Sequence, residues 1–319
     1  MSESDLLARL KEMFPMIGDD AAVIGSQVIT VDMLVEDVDF ISELPLRFAG
    51  RKSVAVNLSD LAAMGAEPRY AVVALAAPSE ETASAVMAGV AEAAAFHGLR
   101  IVGGDLSRAD KIVVALTAVG QTERPLLRSG ARPGERLFVS RPLGAATAGL
   151  TLLGRGWRLD DKGQLRGPDG MSYAERELIA SLLKRHVDPE PEVALGIALS
   201  RSTAVSCCID ISDGLSTDLH RLCEASGCGA EVEKERIPVF PDLIQHAARL
   251  EIPLAEAVLH GGEEYALLFT SALRESELSS RLGRPVYAIG RIVAEAGVRL
   301  SEGGASSPLP ARGWDHFPC

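Results

Sequence analysis

The sequence predicts an α/β (α+β) protein of two domains built on mixed sheets. Three observations carry that expectation. The chain has 319 residues, about two domains of ordinary size. Strand-like and helix-like patterns alternate through both halves. Between the halves lies SGARPGE, residues 129–135, a turn-rich stretch where the boundary is placed, giving 1–134 and 135–319.

In the first half, residues 26–34 (SQVITVDML) are rich in β-branched residues, which suits a strand. Residues 51–64 set Val54, Leu58, Leu61 and Ala62 on one helical face, and Gly65 suits the position after a helix end. Strands are expected at 70–76, 99–102 and 111–119, with a helix over 80–97 stopped by Gly98. The second half opens with a strand at 136–140 and a helix at 144–153, then a polar surface loop over 155–170. Helices follow at 171–186, broken by DPEPE, and at 191–200, with Pro191 in the first turn. Residues 205–211 read as a buried strand feeding a helix at 215–225, and further strands are expected at 265–270 and 286–292. There is no internal repeat and no low-complexity tract.

Hydrophobic residues make up 47% of the chain and aromatics only 4%, so the cores should be aliphatic. The net charge of −12 repels nucleic acid and anionic membrane, and neither is expected as a partner. An anionic substrate would need screening by Arg, Lys or metal ions. The N-terminal MSESDLLARLKEMF lacks a basic segment followed by an apolar one, and no uncharged run approaches membrane-spanning length, so a cytoplasmic protein is expected. Five cysteines argue against a disulfide framework, and adjacent Cys207 and Cys208 should face opposite sides of their strand. CEASGC, from Cys223 to Cys228, has no matching His/Cys pair for zinc.

The chemistry is carried by aspartates. They stand in IGDDAAVI (Asp19, Asp20), ITVDML (Asp32), NLSDLAAMGA (Asp60), IVGGDLS (Asp105) and IDISDG (Asp210, Asp213). Most have a plain structural reading as caps or Asx-turns. Asp60 is the exception, because it sits within a helix where Asp has poor propensity and caps nothing. Carboxylates gathered beside apolar segments need a counter-charge. Mg²⁺ takes oxygen ligands, typically a few carboxylates plus waters and phosphates. A site for several Mg²⁺ ions and a polyphosphate is therefore expected. No P-loop, GxGxxG, protein-kinase motif set or GxSxG elbow is present. Gly103-Gly104 and Gly261-Gly262 are candidate phosphate cradles, and Arg128 a candidate phosphate clamp.

Taken in order, IGDDAAV, TVDMLVEDVDF, KSVAVNLSDLAAMGAEP, IVGGDLSR, LLRSGARPGE, IDISDGLSTDL, HGGEEYALLF and GWDHF resemble the thiamine-monophosphate kinase family, within the aminoimidazole ribonucleotide synthetase-like superfamily. The resemblance spans nearly the whole chain. It implies an N-terminal domain that dimerises through its sheet, a C-terminal α/β domain, and ATP in the cleft between them. It implies transfer of the ATP γ-phosphate to thiamine monophosphate. By position, Asp20, Thr30, Asp32, Asp60, Asp105, Asp210 and Asp213 match Mg²⁺ ligands, with Asp210 and Asp213 central to catalysis. Gly104, Asp105, Arg128 and Ser212 match ATP contacts. Glu263 and a terminal aromatic, Trp314 in preference to Phe317, match the thiamine side. The acceptor oxygen is already anionic at neutral pH, so catalysis reduces to in-line positioning and neutralisation of charge.

Two departures stand out. VEDVDF replaces the usual VEGVHF, so Asp37 takes the place of a Gly and Asp39 that of a His near the substrate. Two alternatives follow from the sequence. One is a carbamoyl-transfer member of the superfamily that acts in hydrogenase maturation and would use Cys319. The other is a non-catalytic ATP-binding regulator.

Overall fold

The computed structural model describes residues 3–14, 16–314 and 316. The first half runs α1 (Glu3–Met13), β1 (Ala22–Ile24), β2 (Gln27–Val35), α2 (Leu46–Ala63), β3 (Glu67–Ala77), α3 (Glu80–His97), β4 (Arg100–Arg108) and β5 (Val113–Gln121). Its five-stranded sheet has the order β1-β2-β5-β3-β4. Only β3 and β4 pair in parallel. Helix α2 is buried along most of its length and covers one face of this sheet, and α3 packs against α2. α3 starts at the Ser79 cap and stops at left-handed Gly98, as its sequence predicts. The opposite face of the sheet is open, and Val31, Met33, Tyr70 and Val72 stand exposed on it.

The second half contains β6 (Arg136–Val139), α4 (Ala145–Gly154), β7 (Arg158–Leu159), β8 (Leu165–Arg166), α5 (Tyr173–Val187), α6 (Val193–Arg201), β9 (Val205–Asp210), α7 (Leu215–Ser226) and β10 (Gly229–Glu233). Then come α8 (Leu243–His246), α9 (Leu254–Leu259), β11 (Leu267–Ser271), α10 (Glu275–Leu282), β12 (Tyr287–Val293), β13 (Gly297–Glu302) and β14 (Ala305–Pro308). A seven-stranded mixed sheet runs β14-β13-β10-β12-β6-β11-β9. Strand β9 is buried on both faces, with Cys207 in one apolar cluster and Cys208 in another. That second cluster includes Ala62 and Ala63 at the end of α2. The helix of the first sheet thus abuts the second sheet, which brings the end of α2 beside the end of β9.

Several sequence expectations are corrected. α2 begins at Leu46, ahead of the apolar periodicity, and Asp60 lies in its last turn rather than mid-helix. The 155–170 loop contains the short β7–β8 hairpin. Gly103-Gly104 forms no turn and lies inside β4. Gly104 is required there by close strand approach, since a Cβ would come within 2.0 Å of the Val73 carbonyl oxygen.

Candidate active site

Three carboxylates meet where α2, β9 and the segment before β1 converge. Asp20, Asp60 and Asp210 each offer an oxygen, and these atoms lie within 4.8 Å of one another. Each is held by neighbours. The Thr30 hydroxyl, on β2, donates to Asp60 Oδ2. The Ser59 hydroxyl donates to Asp210 Oδ2. Arg128 donates to Asp20 Oδ1 from Nε at 3.0 Å and Nη2 at 2.6 Å. Its own backbone N–H is held by Asp19 Oδ1 at 3.1 Å. Asp32 lies on the α2-facing side of β2, its N–H donating to Asn57 Oδ1 at 3.1 Å.

One positive side chain does not balance this set. Burial pushes Asp20 up to about 7, with Arg128 working against the rise and Asp210 and Asp19 adding to it. Burial likewise raises Asp32 to about 6, helped by Asp213 and Asp39. Asp210 is raised to about 6 by burial, although Ser59 and Arg128 oppose it. Asp60 is raised well above its ordinary value by burial and by the charges of Asp32, Asp210 and Asp20. Asp20 Oδ2 is buried without a hydrogen-bond partner. An orphaned carboxylate oxygen beside two other carboxylates fits a hard cation with oxygen ligands.

The cluster opens into a cavity of about 650 Å³. Asp32, Asp39, Asp60, Asp210, Ser212, Asp213, Glu263 and Trp314 all line it. The turn after β9 is built by Asp218, whose Oδ2 accepts the N–H groups of Asp213 and Gly214 at 3.0 and 3.1 Å. Arg221 pairs with both Asp213 and Asp218. Half-exposed Trp314 stands at the lip, its N–H donating to the Asp213 carbonyl at 3.1 Å. Phe317 and Cys319 lie outside the described residues.

Glu263 is not a free anion. Lys52 Nζ lies 2.6 Å from one carboxylate oxygen and His186 Nδ1 3.0 Å from the other. Burial would raise its pKa, but Lys52 and then His186 bring it down to about 2. Asp39 turns its carboxylate back on its own loop, accepting the Val35 N–H at 2.8 Å. Asp37 adopts a left-handed backbone, φ 65°, the conformation that favours glycine.

Comparison with known proteins adds a sequence family to this geometry. Residues 18–122 match the AIR synthase related protein N-terminal domain, and residues 132–302 match the C-terminal domain. The thiamine-monophosphate kinase of Rhodopirellula baltica is 37% identical over 301 residues, 88% of this chain and 84% of that one. The chain belongs to the thiamine-monophosphate kinase family. The Bacillus subtilis member is 33% identical over 94% of this chain and 93% of its own length. A solved structure, "AaThiL complexed with AMPPCP and TMP", superposes with a TM-score of 0.85 at 29% identity, covering 99% of this chain and 97% of that one.

Of the kinase-family residues predicted from the sequence, Asp20, Thr30, Asp32, Asp60, Arg128, Asp210, Ser212 and Asp213 come together around the cluster and its cavity. Asp39, Glu263 and Trp314 line the same cavity. Gly104 and Asp105 do not join them within the chain. Asp105 pairs with Ala74, in the exposed row of β3, at the far edge of the sheet from β2. It therefore points to the open face, whereas Asp32 points to the α2 side. Sequence reasoning missed Ser59, Lys52, His186 and the Asp218–Arg221 pair. Lys52 carried little signal, because Arg47 and Arg51 stand in the same helix and the sequence does not say which cation is buried. His186 carried none, because only the packing of α5 brings it to the site.

Proposed function

We propose that the protein transfers the γ-phosphate of ATP to thiamine monophosphate, giving thiamine diphosphate and ADP. The observation that carries this reading is the convergence of three carboxylates, one with an orphaned oxygen, beside a substrate-sized cavity that Asp60 and Asp210 line. Family membership supports it, as does the relative solved with AMPPCP, an ATP analogue, and TMP. Asp20, Asp60 and Asp210, with Asp32 and Asp213 beside them, would hold Mg²⁺. The ions would neutralise phosphate charge and withdraw electrons from the transferred phosphoryl group.

The chain's own residues do the rest. Ser59 and Thr30 fix the orientation of two carboxylates, so that little reorganisation is left for the reaction itself. Arg128 carries a positive charge to the Asp20 carboxylate of the cluster. Trp314 offers an aromatic face to the cationic thiazolium ring. The acceptor oxygen, already anionic at neutral pH, needs no base.

A homodimer belongs to this reading. The open sheet face, with Val31, Met33, Tyr70 and Val72 exposed, suits a second copy. Gly104 and Asp105 would then serve the site of the partner. A cytoplasmic location is also part of it, and no described helix is long and apolar enough to cross a membrane.

The test is ADP release from purified protein with ATP and Mg²⁺, comparing thiamine phosphate, free thiamine and no acceptor. Turnover only with thiamine phosphate, yielding thiamine diphosphate, is expected. Binding of ATP without acceptor-dependent turnover would overturn the assignment of substrate.

A further inference from the structure

Lys52 is 1% exposed, and its ammonium is enclosed in the middle of α2. A buried ammonium requires partners. Among the described residues it meets the Glu263 carboxylate at 2.6 Å and the Asp39 backbone carbonyl at 3.1 Å. Neither contact involves Asp20, Asp60 or Asp210. Asp39 belongs to the loop after β2, and Glu263 to the segment before β11, and both line the cavity. The second oxygen of Glu263 meets His186 in the last turn of α5. One ammonium thus ties together α2, two cavity-lining segments and, through Glu263, a fourth element.

Glu263 itself is under constraint. Its backbone is left-handed, φ 61°, which is costly for a residue with a Cβ. Its N–H donates to the Ser212 carbonyl at 2.7 Å, which holds it against the turn after β9. Gly262 must stay a glycine for the same contact, since a Cβ would come within 2.6 Å of that carbonyl oxygen. The chain has fixed both ends of Glu263, the backbone by the β9 turn and the carboxylate by Lys52 and His186.

We propose that Lys52 is a positioning residue for the acceptor half of the site, acting through Glu263. It sets the direction of the Glu263 carboxylate and balances its charge. An unbalanced carboxylate would attract the thiazolium ring but repel the acceptor phosphate. A balanced one contacts the acceptor without opposing the approach of two phosphates. This inference rests on the kinase reading above.

The experiment is steady-state kinetics with Mg²⁺, varying ATP and thiamine phosphate separately. Four proteins are compared: the native chain, Lys52→Met, Glu263→Gln, and the double variant. Lys52→Met is expected to raise the KM for thiamine phosphate at least ~10-fold, about 1.4 kcal/mol, with the KM for ATP within about twofold. In the Glu263→Gln background, adding Lys52→Met should change the acceptor KM by less than about twofold, as for two residues acting as one unit. Equal effects on both substrates, a change in kcat alone, or effects that multiply independently would overturn the inference. If Lys52→Met fails to fold, the double variant, which removes both buried charges, is compared with the native chain: a rise of at least ~10-fold in the KM for thiamine phosphate with the KM for ATP within about twofold is expected, and equal effects on both substrates or no effect on either would overturn the inference. A native chain inactive on thiamine phosphate would overturn the kinase reading instead, a separate result.

Discussion

Asp60→Asn is expected to stabilise the metal-free protein while abolishing most of its activity. The two effects have one cause. Carboxylate oxygens of Asp20, Asp60 and Asp210 lie within 4.8 Å of one another. At that separation two unit charges repel by roughly 3–4 kcal/mol with an effective dielectric near 20. Asp60 enters two such pairs. Arg128 forks onto Asp20, whereas Asp60 receives the Thr30 hydroxyl, and burial with its acidic neighbours favours its protonated form. That preference works against the repulsion, and the expected gain at pH 8 is roughly 1–3 kcal/mol. For a chain of this size that is a rise of roughly 1.5–4.5 °C in melting temperature. Asn preserves the shape and can still accept from Thr30, so packing loss does not mask the effect. The assay is thermal unfolding at pH 8, first with a chelator and then with Mg²⁺. In chelator the variant should melt higher. With Mg²⁺ the native protein should gain more and the order should reverse, because binding to the folded state stabilises it. Turnover of the variant at saturating Mg²⁺ should fall at least ~10²-fold. A variant that melts lower in chelator, with an unchanged response to Mg²⁺, would show that Asp60 is a structural residue and would refute the reasoning.

Two further outcomes follow from the same site. Asp20 is raised to about 7, and Asp32 and Asp210 to about 6, from an ordinary 3.8. Between about pH 4 and 7 the folded state therefore holds more protons than the unfolded one. The stability these groups contribute is complete below pH 4 and is lost as pH rises through 6 and 7. Melting temperature in chelator should fall from pH 5 to pH 8, and Mg²⁺ should restore it at pH 8; a flat or rising metal-free profile would contradict the assignment. Asp37→Gly removes a Cβ from a left-handed residue and gives up only an exposed ion pair to Lys111 at 3.2 Å. Stability by chemical denaturation should stay level or rise by up to ~1 kcal/mol, and a loss larger than that would show that the Asp37 side chain holds the loop.

The aspartate motifs were legible because their chemistry is local to the sequence. Asp60 announces itself by standing in a helix without a capping role. Asp210 and Asp213 do so by closing a strand that is otherwise apolar. The helix at 80–97 was legible for a similar reason, since Ser79 and Gly98 satisfy the orphaned end groups whatever the helix packs against. The glycine pair at 103–104 was ambiguous in the sequence, because a turn and a close strand crossing call for the same residue. Only the pairing of β4 with β3 distinguishes them.

The sequence by itself pointed to the class of fold, to aspartates as candidate metal ligands and, through the resemblance of its ordered motifs to a known family, to the kind of chemistry, because motifs and their order are local features of the chain. The tertiary structure decided which carboxylates meet. Asp20, Asp60 and Asp210 are distant in sequence and converge because α2 packs between two sheets. It also decided that Asp105 faces away from them, because a strand sends successive side chains to opposite faces and only the register says which. The state of Glu263 was invisible for the same reason. Its charge is set by Lys52 and His186, which are remote in sequence, and a buried charge is defined by what surrounds it.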